Sequence, residues 1–365
     1  MKTMKAVVVN EIDSYATEEV TLDPPKAGEL LIKMKATGVC HSDLSLINGT
    51  IPMPLPCVLG HEGAGIVEEV GEEVTQFEVG DHVVLSFVPF CGECDDCHNH
   101  RPNMCTAGAA ANGKMLDGTT RVHRGDEDLD VMTYLGCMAE YVVCSSICAV
   151  KIDKSIPLDK AALVGCGVMT GVGAAINTAK VEPGSSVAVF GCGGIGLSII
   201  QGARLAGAGQ IIAIDLSDNK LEMASSFGAT HVINGSTEDA VAMVHALTNG
   251  GADYAFEAIG VPAAMEQTYN AIRRKGTAVI VGVGKLTDSM ALNALLVSIS
   301  GKVLMGSMYG DGNPPVDFPK LLSLYQSGKL NLDDMVSTTY AIDDVHSAFE
   351  DMQNNVNARG VIVYD

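Results

Sequence analysis

Residues 185–215 read "SSVAVFGCGGIGLSIIQGARLAGAGQIIAID". The run begins with a short apolar segment rich in β-branched residues, "SSVAVF". A glycine-rich turn follows, then a helical stretch, then a second apolar segment, "QIIAID" (210–215). Strand, turn, helix and strand in this order make one βαβ unit, and a βαβ unit implies a parallel sheet. Within the turn, Gly191, Gly193 and Gly196 form G-x-G-x-x-G. Alone that match is weak. Placed after a strand and at the opening of a helix, it is the fingerprint of a dinucleotide site. The glycines allow a tight turn, close approach to a pyrophosphate, and close packing of helix on strand. The helix N-terminus adds N–H groups and positive dipole for phosphate.

Asp215 ends the second strand, 19 residues past Gly196. In this setting its carboxylate accepts hydrogen bonds from ribose hydroxyls and repels a 2′-phosphate. No arginine follows it (Leu216, Ser217, Asp218), so NAD is favoured over NADP. The competing reading is a glycine-rich turn in a nucleotide-free sheet.

The alternation continues outward. A helix "NKLEMASSFG" leads to "THVIN" (230–234), a helix "EDAVAMVHALT", "ADYAFEAIG", a helix "PAAMEQTYNAI", "GTAVIVGV", a helix around 291–300, and "KVLMGSM". Residues of about 170 to 308 therefore form a doubly wound parallel sheet. The first 150 residues differ. "LLIKMKATGV", "GAGIVEEVG" and "DHVVLSFV" are short strands broken by Gly and Pro, which implies a mainly antiparallel, barrel-like domain. The tail shows one clear helix, "DVHSAFEDMQ", and a last strand, "GVIVYD", that must return to one of the two sheets. No repeat of fixed period is present.

Composition fits two globular domains: 365 residues, 47% apolar, 18% charged and 40 glycines. Net charge is −21, which argues against a nucleic-acid-binding zinc module. Two segments, 161–179 and 184–203, are long and uncharged enough to be checked as membrane spans. Their Gly, Ser, Asn and Thr content marks them as buried core segments, so no membrane is expected. The N-terminus "MKTMKAVVVNEIDS" has no secretory apolar region, and the expected location is cytoplasmic. Eleven cysteines there imply metal ligands or free thiols rather than disulfides.

Four of them lie in "CGECDDCHNHRPNMC": Cys91, Cys94, Cys97 and Cys105. Four thiolates close a zinc tetrahedron and leave no open position, so such a site is structural. Catalysis needs three protein ligands and a free position. Candidates are Cys40, His41, Ser42 and Asp43 in "GVCHSD", His61 and Glu62 in "LGHEGAG", and Cys166 in "LVGCGVMTG". Cys, His and Cys suit a catalytic zinc, but 126 residues separate the first from the last. Spacing alone leaves each open to a packing role.

The ordered set "GVCHSD", "GHEGAGIVEEVG", "GDHVVL", "CGECDDC…C", "GCGVMTG", "VFGCGGIG" and "ARGVIVYD" resembles the zinc-containing medium-chain alcohol dehydrogenases over essentially the whole chain. The resemblance implies a GroES-like catalytic domain at 1–167 and 309–365, with the cysteine lobe at 91–105, and a Rossmann domain at 168–308. It implies two zincs per chain and NAD. Cys40, His61 and Cys166 resemble the catalytic zinc ligands. Glu62 resembles the carboxylate behind the metal, Asp43 the partner of the ligating histidine, and Ser42 the hydroxyl that takes the alcohol proton. His41 and Arg359 fall where the family contacts the pyrophosphate. Gly194, Ile195, Lys220, Thr170 and Val281 fall at further cofactor positions. Ile51, Phe87 and Leu135 fall where the family lines its substrate channel.

The implied reaction is hydride transfer between an alcohol and NAD, with a primary, aliphatic or aromatic alcohol suiting the apolar channel. Ser45 stands where many members carry a histidine ending the proton relay, so the relay here must end differently. Ile51 and Ala109 stand where the glutathione-dependent branch carries charged residues, which disfavours that branch. The long segment between Cys105 and Tyr141 is similar to that of the dimeric forms, so a homodimer is expected, with a homotetramer as the alternative. Rival readings are a zinc-free reductase of the same superfamily, a nicotinoprotein that retains its NAD, and a non-catalytic binding protein. The complete ligand set counts against the first and the last.

Overall fold

The computed structural model describes residues 1–109 and 112–365. The chain divides into two units, Met1–Cys166 with Asn313–Asp365, and Gly167–Gly312. The expected junctions, 167/168 and 308/309, lie one and four residues away. Gly167 opens the helix Gly167–Gly173, and the turn Tyr309–Asp311 packs on that same stretch. Asn177 Nδ2–H donates to the Gly310 carbonyl at 3.1 Å, and a Cβ on Gly173 would strike that carbonyl. Residues 309–312 therefore belong with the second unit.

In the first unit β1 (Lys2–Glu11), β2 (Ser14–Leu22), β3 (Glu29–Gly38), β4 (Cys57–Val58), β5 (Gly63–Val70) and β6 (His82–Leu85) are followed by β7 (Val122–Arg124), β8 (Glu127–Val131), β9 (Tyr141–Ser145) and β10 (Ala149–Ile152). Strands β1, β2, β7, β8 and β4 close into a small barrel. Closure removes the open edges that short strands would otherwise present. The barrel buries Ala6, Val8, Val20, Leu22, Val58, Leu129 and Val131. The pairing is antiparallel except between β4 and β8.

In the second unit β11 (Ser186–Phe190), β12 (Gln210–Asp215), β13 (His231–Asn234), β14 (Ala252–Glu257), β15 (Ile272–Ile280) and β16 (Val303–Gly306) form one sheet of order β13-β12-β11-β14-β15-β16. Every pairing is parallel. The central strands are buried along most of their length, as expected of a sheet covered on both faces. Chain order reverses between β11 and β14, and ligands of such sheets bind outside the strand carboxyl ends at that point.

The tail returns to the first unit as β17 (Val336–Tyr340) and β18 (Arg359–Val363). Both join the seven-stranded sheet β10-β6-β5-β3-β18-β17, with β9 also on β3. The tail holds two helices, not one. Pro314–Gln326 precedes the expected Val345–Gln353 and buries Phe318, Leu321 and Leu322. Pro314, Pro315 and Pro319 hide it from a periodicity reading. Two of these prolines occupy the first turn, where a missing N–H costs nothing.

No single helix among the described residues is long and apolar enough to cross a membrane. The bent pair Leu158–Gly165 and Gly167–Thr178 passes by length and composition only. Its residues from Ala161 to Ala175 are all buried in the protein.

Candidate functional site

The first unit brings its site together at one end of β3. That strand stops at Gly38, two residues before Cys40, while β5 starts at Gly63, two residues after His61. Thr37 pairs with Gly63 in register. Antiparallel pairing thus delivers Cys40 and the His61–Glu62 pair to the same place. On the other flank Val361 of β18 pairs with Gly38, which brings Arg359 there too. Cys166 arrives from the helical turn Ala162–Gly165. A Cβ on Gly165 would fall against the Leu85 carbonyl at 2.8 Å and 3.5 Å from Glu62 Cα. The ligand atoms of Cys40, His61, Glu62 and Cys166 all lie within 4.8 Å of one another, and all four residues are buried.

The helix His41–Ile47 anchors this cluster. Asp43, fully buried, accepts the Cys40 N–H on Oδ2 at 3.0 Å and contacts His61 Nδ1 from Oδ1 at 3.2 Å. One carboxylate therefore holds the backbone of one ligand and the ring of another. With Nδ1–H donated to Asp43, Nε2 presents its lone pair inward, and this buried atom has no partner. Buried polar atoms are normally paired, so an orphaned imidazole nitrogen between two thiols fits a bound zinc. A histidine ligand oriented by a carboxylate is the usual arrangement.

Charge in the cluster follows from these contacts. The Cys166 thiol, then His61 and Arg359, pull the Cys40 thiol well below its ordinary range against burial. Cys40 and burial push Cys166 up in return. Burial works to lower His61, but Asp43 and Cys40 override it and raise it well above its ordinary value. Burial raises Asp43 and Glu62. Zinc binding takes both thiols as thiolates and releases their protons.

Arg359 is buried, and its guanidinium pairs through Nη2 with Glu62 Oε2. The reason is steric: a Cβ on Gly38 would collide with that carboxylate, so glycine there leaves room for Glu62 and Arg359 to meet. His41 is exposed and Ser42 half-buried, with Ser42 Oγ 3.8 Å from Cys40 Sγ. Phe87 sets its ring edge-on to His61, centroids 5.6 Å apart. Ile51 and Phe87 are partly open, whereas Leu135 is packed in a core cluster with Ile32, Met34 and Cys137. Leu135 thus supports the wall from behind and presents almost no surface of its own.

The cysteine lobe is a second cluster. Sγ–Sγ separations are 4.0 Å for Cys91–Cys97, 3.9 Å for Cys94–Cys105 and 3.5 Å for Cys91–Cys105. A zinc with four thiolates at about 2.3 Å spaces its sulfurs at about 3.8 Å. The lobe fits that ion, with no ligand position left over.

In the second unit the three glycines separate by role. Gly191 has φ +92°, a left-handed turn, and Gly196 packs so close that a Cβ would strike the Gly191 carbonyl. At Gly193 a Cβ would meet nothing within 4 Å. That open space lies at the N-cap of the helix Gly194–Leu205, where a pyrophosphate would come against free N–H groups of Gly194, Ile195 and Gly196. The Asp215 carboxylate accepts N–H groups of Cys192 (2.8 Å), Leu216 (2.8 Å) and Ser217 (3.1 Å). It thereby ties the glycine turn to the end of β12 and stays half-exposed. Lys220 is half-buried near the start of the next helix, Asp218–Phe227. Thr170 and Val281 are buried, the latter just past β15. The residues present fit a dinucleotide with a free 2′-hydroxyl.

Two features were not read from the sequence. One is the Glu62–Arg359 pair, which only the β18–β3 pairing creates. The other is Glu257, a fully buried carboxylate at the end of β14; a charge following the apolar "YAF" of "ADYAFEAIG" was its signal.

Comparison with known proteins agrees with this geometry. The profile described as alcohol dehydrogenase GroES-like domain matches residues 26–154, and that described as zinc-binding dehydrogenase matches residues 194–327. Alcohol dehydrogenase B of Mycobacterium tuberculosis is 41% identical, covering 100% of this chain and 99% of the relative. An NDMA-dependent alcohol dehydrogenase of Amycolatopsis methanolica is also 41% identical, with coverage of 100% and 99%. The solved benzyl alcohol dehydrogenase of Acinetobacter calcoaceticus superposes with a TM-score of 0.95 at 34% identity, covering 100% of both chains. The chain belongs to the zinc-containing medium-chain alcohol dehydrogenase family.

Proposed function

We propose that this protein oxidises a primary alcohol with an apolar aliphatic or aromatic body, reversibly, to its aldehyde. The observation that carries the proposal is the buried Cys40–His61–Cys166 triangle with its orphaned His61 Nε2, beside the apolar wall of Phe87. When bound, zinc at this set supplies a Lewis acid for the alcohol oxygen, and NAD supplies the hydride acceptor. The chain's residues do the rest. Asp43 fixes the tautomer and direction of His61. Ser42, on the first turn after Cys40, takes the hydroxyl proton at Oγ. Ser45, one turn on and half-buried, is where that proton passes to water. Phe87 and Ile51 orient the apolar body and keep water from the reacting carbon. Neither they nor Ala109 carry charge for an ionic peptide.

The sheet edge supports a homodimer. β16 ends the sheet with one flank unpaired, and Val303 and Leu304 are exposed beside Leu295, Leu296, Val297 and Ile299 of the helix Ala294–Ser300. An open apolar edge invites pairing with a second copy about a twofold axis. None of the eleven cysteines is joined in a disulfide, which supports a reducing, cytoplasmic setting.

The test is zinc content per chain together with NADH formation across primary, aromatic and secondary alcohols. Two zincs and turnover of apolar primary alcohols are expected. Cys166→Ser should lose one zinc and all turnover while the cysteine lobe keeps its ion. Normal turnover by that variant would overturn the assignment. Light scattering of the eluted protein reads the dimer, and NAD released on denaturation would reveal a nicotinoprotein.

A further inference from the structure

Glu257 closes β14 at the carboxyl edge of the parallel sheet, one strand from the glycine turn. It is fully buried and forms no ion pair among the described residues; burial raises its pKa. Its Oε1 accepts the N–H groups of Ile259 (2.8 Å) and Gly260 (2.6 Å). Its backbone carbonyl accepts those of Val281 (2.9 Å) and Gly282 (3.1 Å), just past the end of β15. One residue thus holds two loops, 258–261 and 281–284.

The loops interlock at glycines. Gly260 has φ +93°, and a Cβ there would hit the Val283 backbone; a Cβ on Gly282 would hit Gly260 N and sit 2.7 Å from Glu257 Oε2. From this tight base the loops raise apolar side chains into solvent: Ile259 is 52% exposed, Val261 45% and Val283 70%. Ile259 also abuts Gly191, since a Cβ on that glycine would meet its side chain at 2.5 Å. An exposed apolar ledge on a buried anionic staple, beside a phosphate turn, is costly unless a flat apolar group covers it.

Strand order says which group. Asp215 lies on β12, on one side of the turn, and takes the adenosine ribose. Glu257 ends β14 and Val281 lies just past β15, on the other side. A dinucleotide whose pyrophosphate sits at Gly193 must lay its nicotinamide half over them. We infer that Glu257 is a positioning residue for the nicotinamide half of the cofactor: it sets the two loops that form the floor and flank of that half-site, without touching the ring. The inference rests on the NAD-linked reading above.

The test separates the halves of the ligand. NADH and ADP-ribose, which lacks the nicotinamide, are titrated against the zinc-replete protein by calorimetry, using wild type, Glu257→Gln and Glu257→Ala. Glutamine keeps the shape and one acceptor but removes the charge and turns an NH2 toward the Gly282 loop. Loss of charge-assisted hydrogen bonding should weaken NADH by about tenfold, with ADP-ribose unchanged; alanine should do more. NADH affinity equal to wild type, or equal weakening of both ligands, overturns the inference, because a purely structural role spares or harms both halves alike. If the alanine variant does not fold, the glutamine variant decides. Wild-type protein that binds neither ligand would refute the NAD-linked reading, and this inference with it.

Discussion

Arg359→Met should destabilise the first unit far more than an ordinary surface change. The methionine keeps an unbranched apolar stem and removes the guanidinium and its charge. Glu62 is fully buried, and its Oε1 already lacks a partner while Oε2 depends on Arg359. Removing the guanidinium leaves the buried Glu62 carboxylate without its ion-pair partner. Breaking a buried ion pair from one side costs about 3–5 kcal/mol, most of it the penalty on the charge left behind. For a unit of this size that corresponds to a fall of about 6–20 °C in the unfolding midpoint. The pair is also predicted to be non-additive. Glu62→Gln with Arg359→Met places a neutral amide beside a thioether, and should recover most of the loss seen in Arg359→Met alone. The assay is scanning calorimetry on the wild type, both single variants and the double variant, with zinc content measured on each sample. Two zincs in every sample would separate pair energetics from metal loss. A midpoint within about 3 °C of wild type for Arg359→Met, or a double variant no better than that single one, would refute the reasoning. The carboxylate would then have found water or another partner.

Asp43→Asn should weaken the catalytic zinc by about 10–100-fold, since one amide oxygen cannot serve both the Cys40 N–H and the His61 Nδ1–H. Dialysis against graded chelator, with metal counted per chain, reads this: one zinc should leave early and the cysteine-lobe zinc should stay. The fingerprint glycines should respond oppositely. Gly193→Ala has room for its methyl, so it should keep the wild-type melting midpoint and lose NADH binding. Gly196→Ala drives a methyl into the Gly191 carbonyl and should lower the midpoint of the second unit itself. Equal effects in the two variants would mean the open space at Gly193 is not the cofactor's.

Much of this protein is legible from sequence because its signals are local. "SSVAVFGCGGIG" carries strand, turn and helix start within a dozen residues, and the parallel sheet follows from chain rules of short range. The cysteine lobe is equally local: four thiols inside fifteen residues can reach one ion without help from the rest of the chain. The open zinc site is not local. Cys40, His61 and Cys166 are separated by up to 126 residues. Their meeting depends on β3 ending where β5 begins, a matter of strand register that no single stretch encodes. The same register decided contacts that no short stretch shows. Arg359, set on β18 beside Gly38, is the counter-charge of Glu62. Leu135 is buried in the core cluster against which Phe87 packs. Glu257 read alone is a charge at a strand end; only the approach of Gly260 to Gly282 makes it a buried staple. Residue type and short spacing determined the chemistry available to this chain. Long-range pairing decided which of those groups share a site, because desolvation and opposing charge act only between atoms that the fold has already brought together.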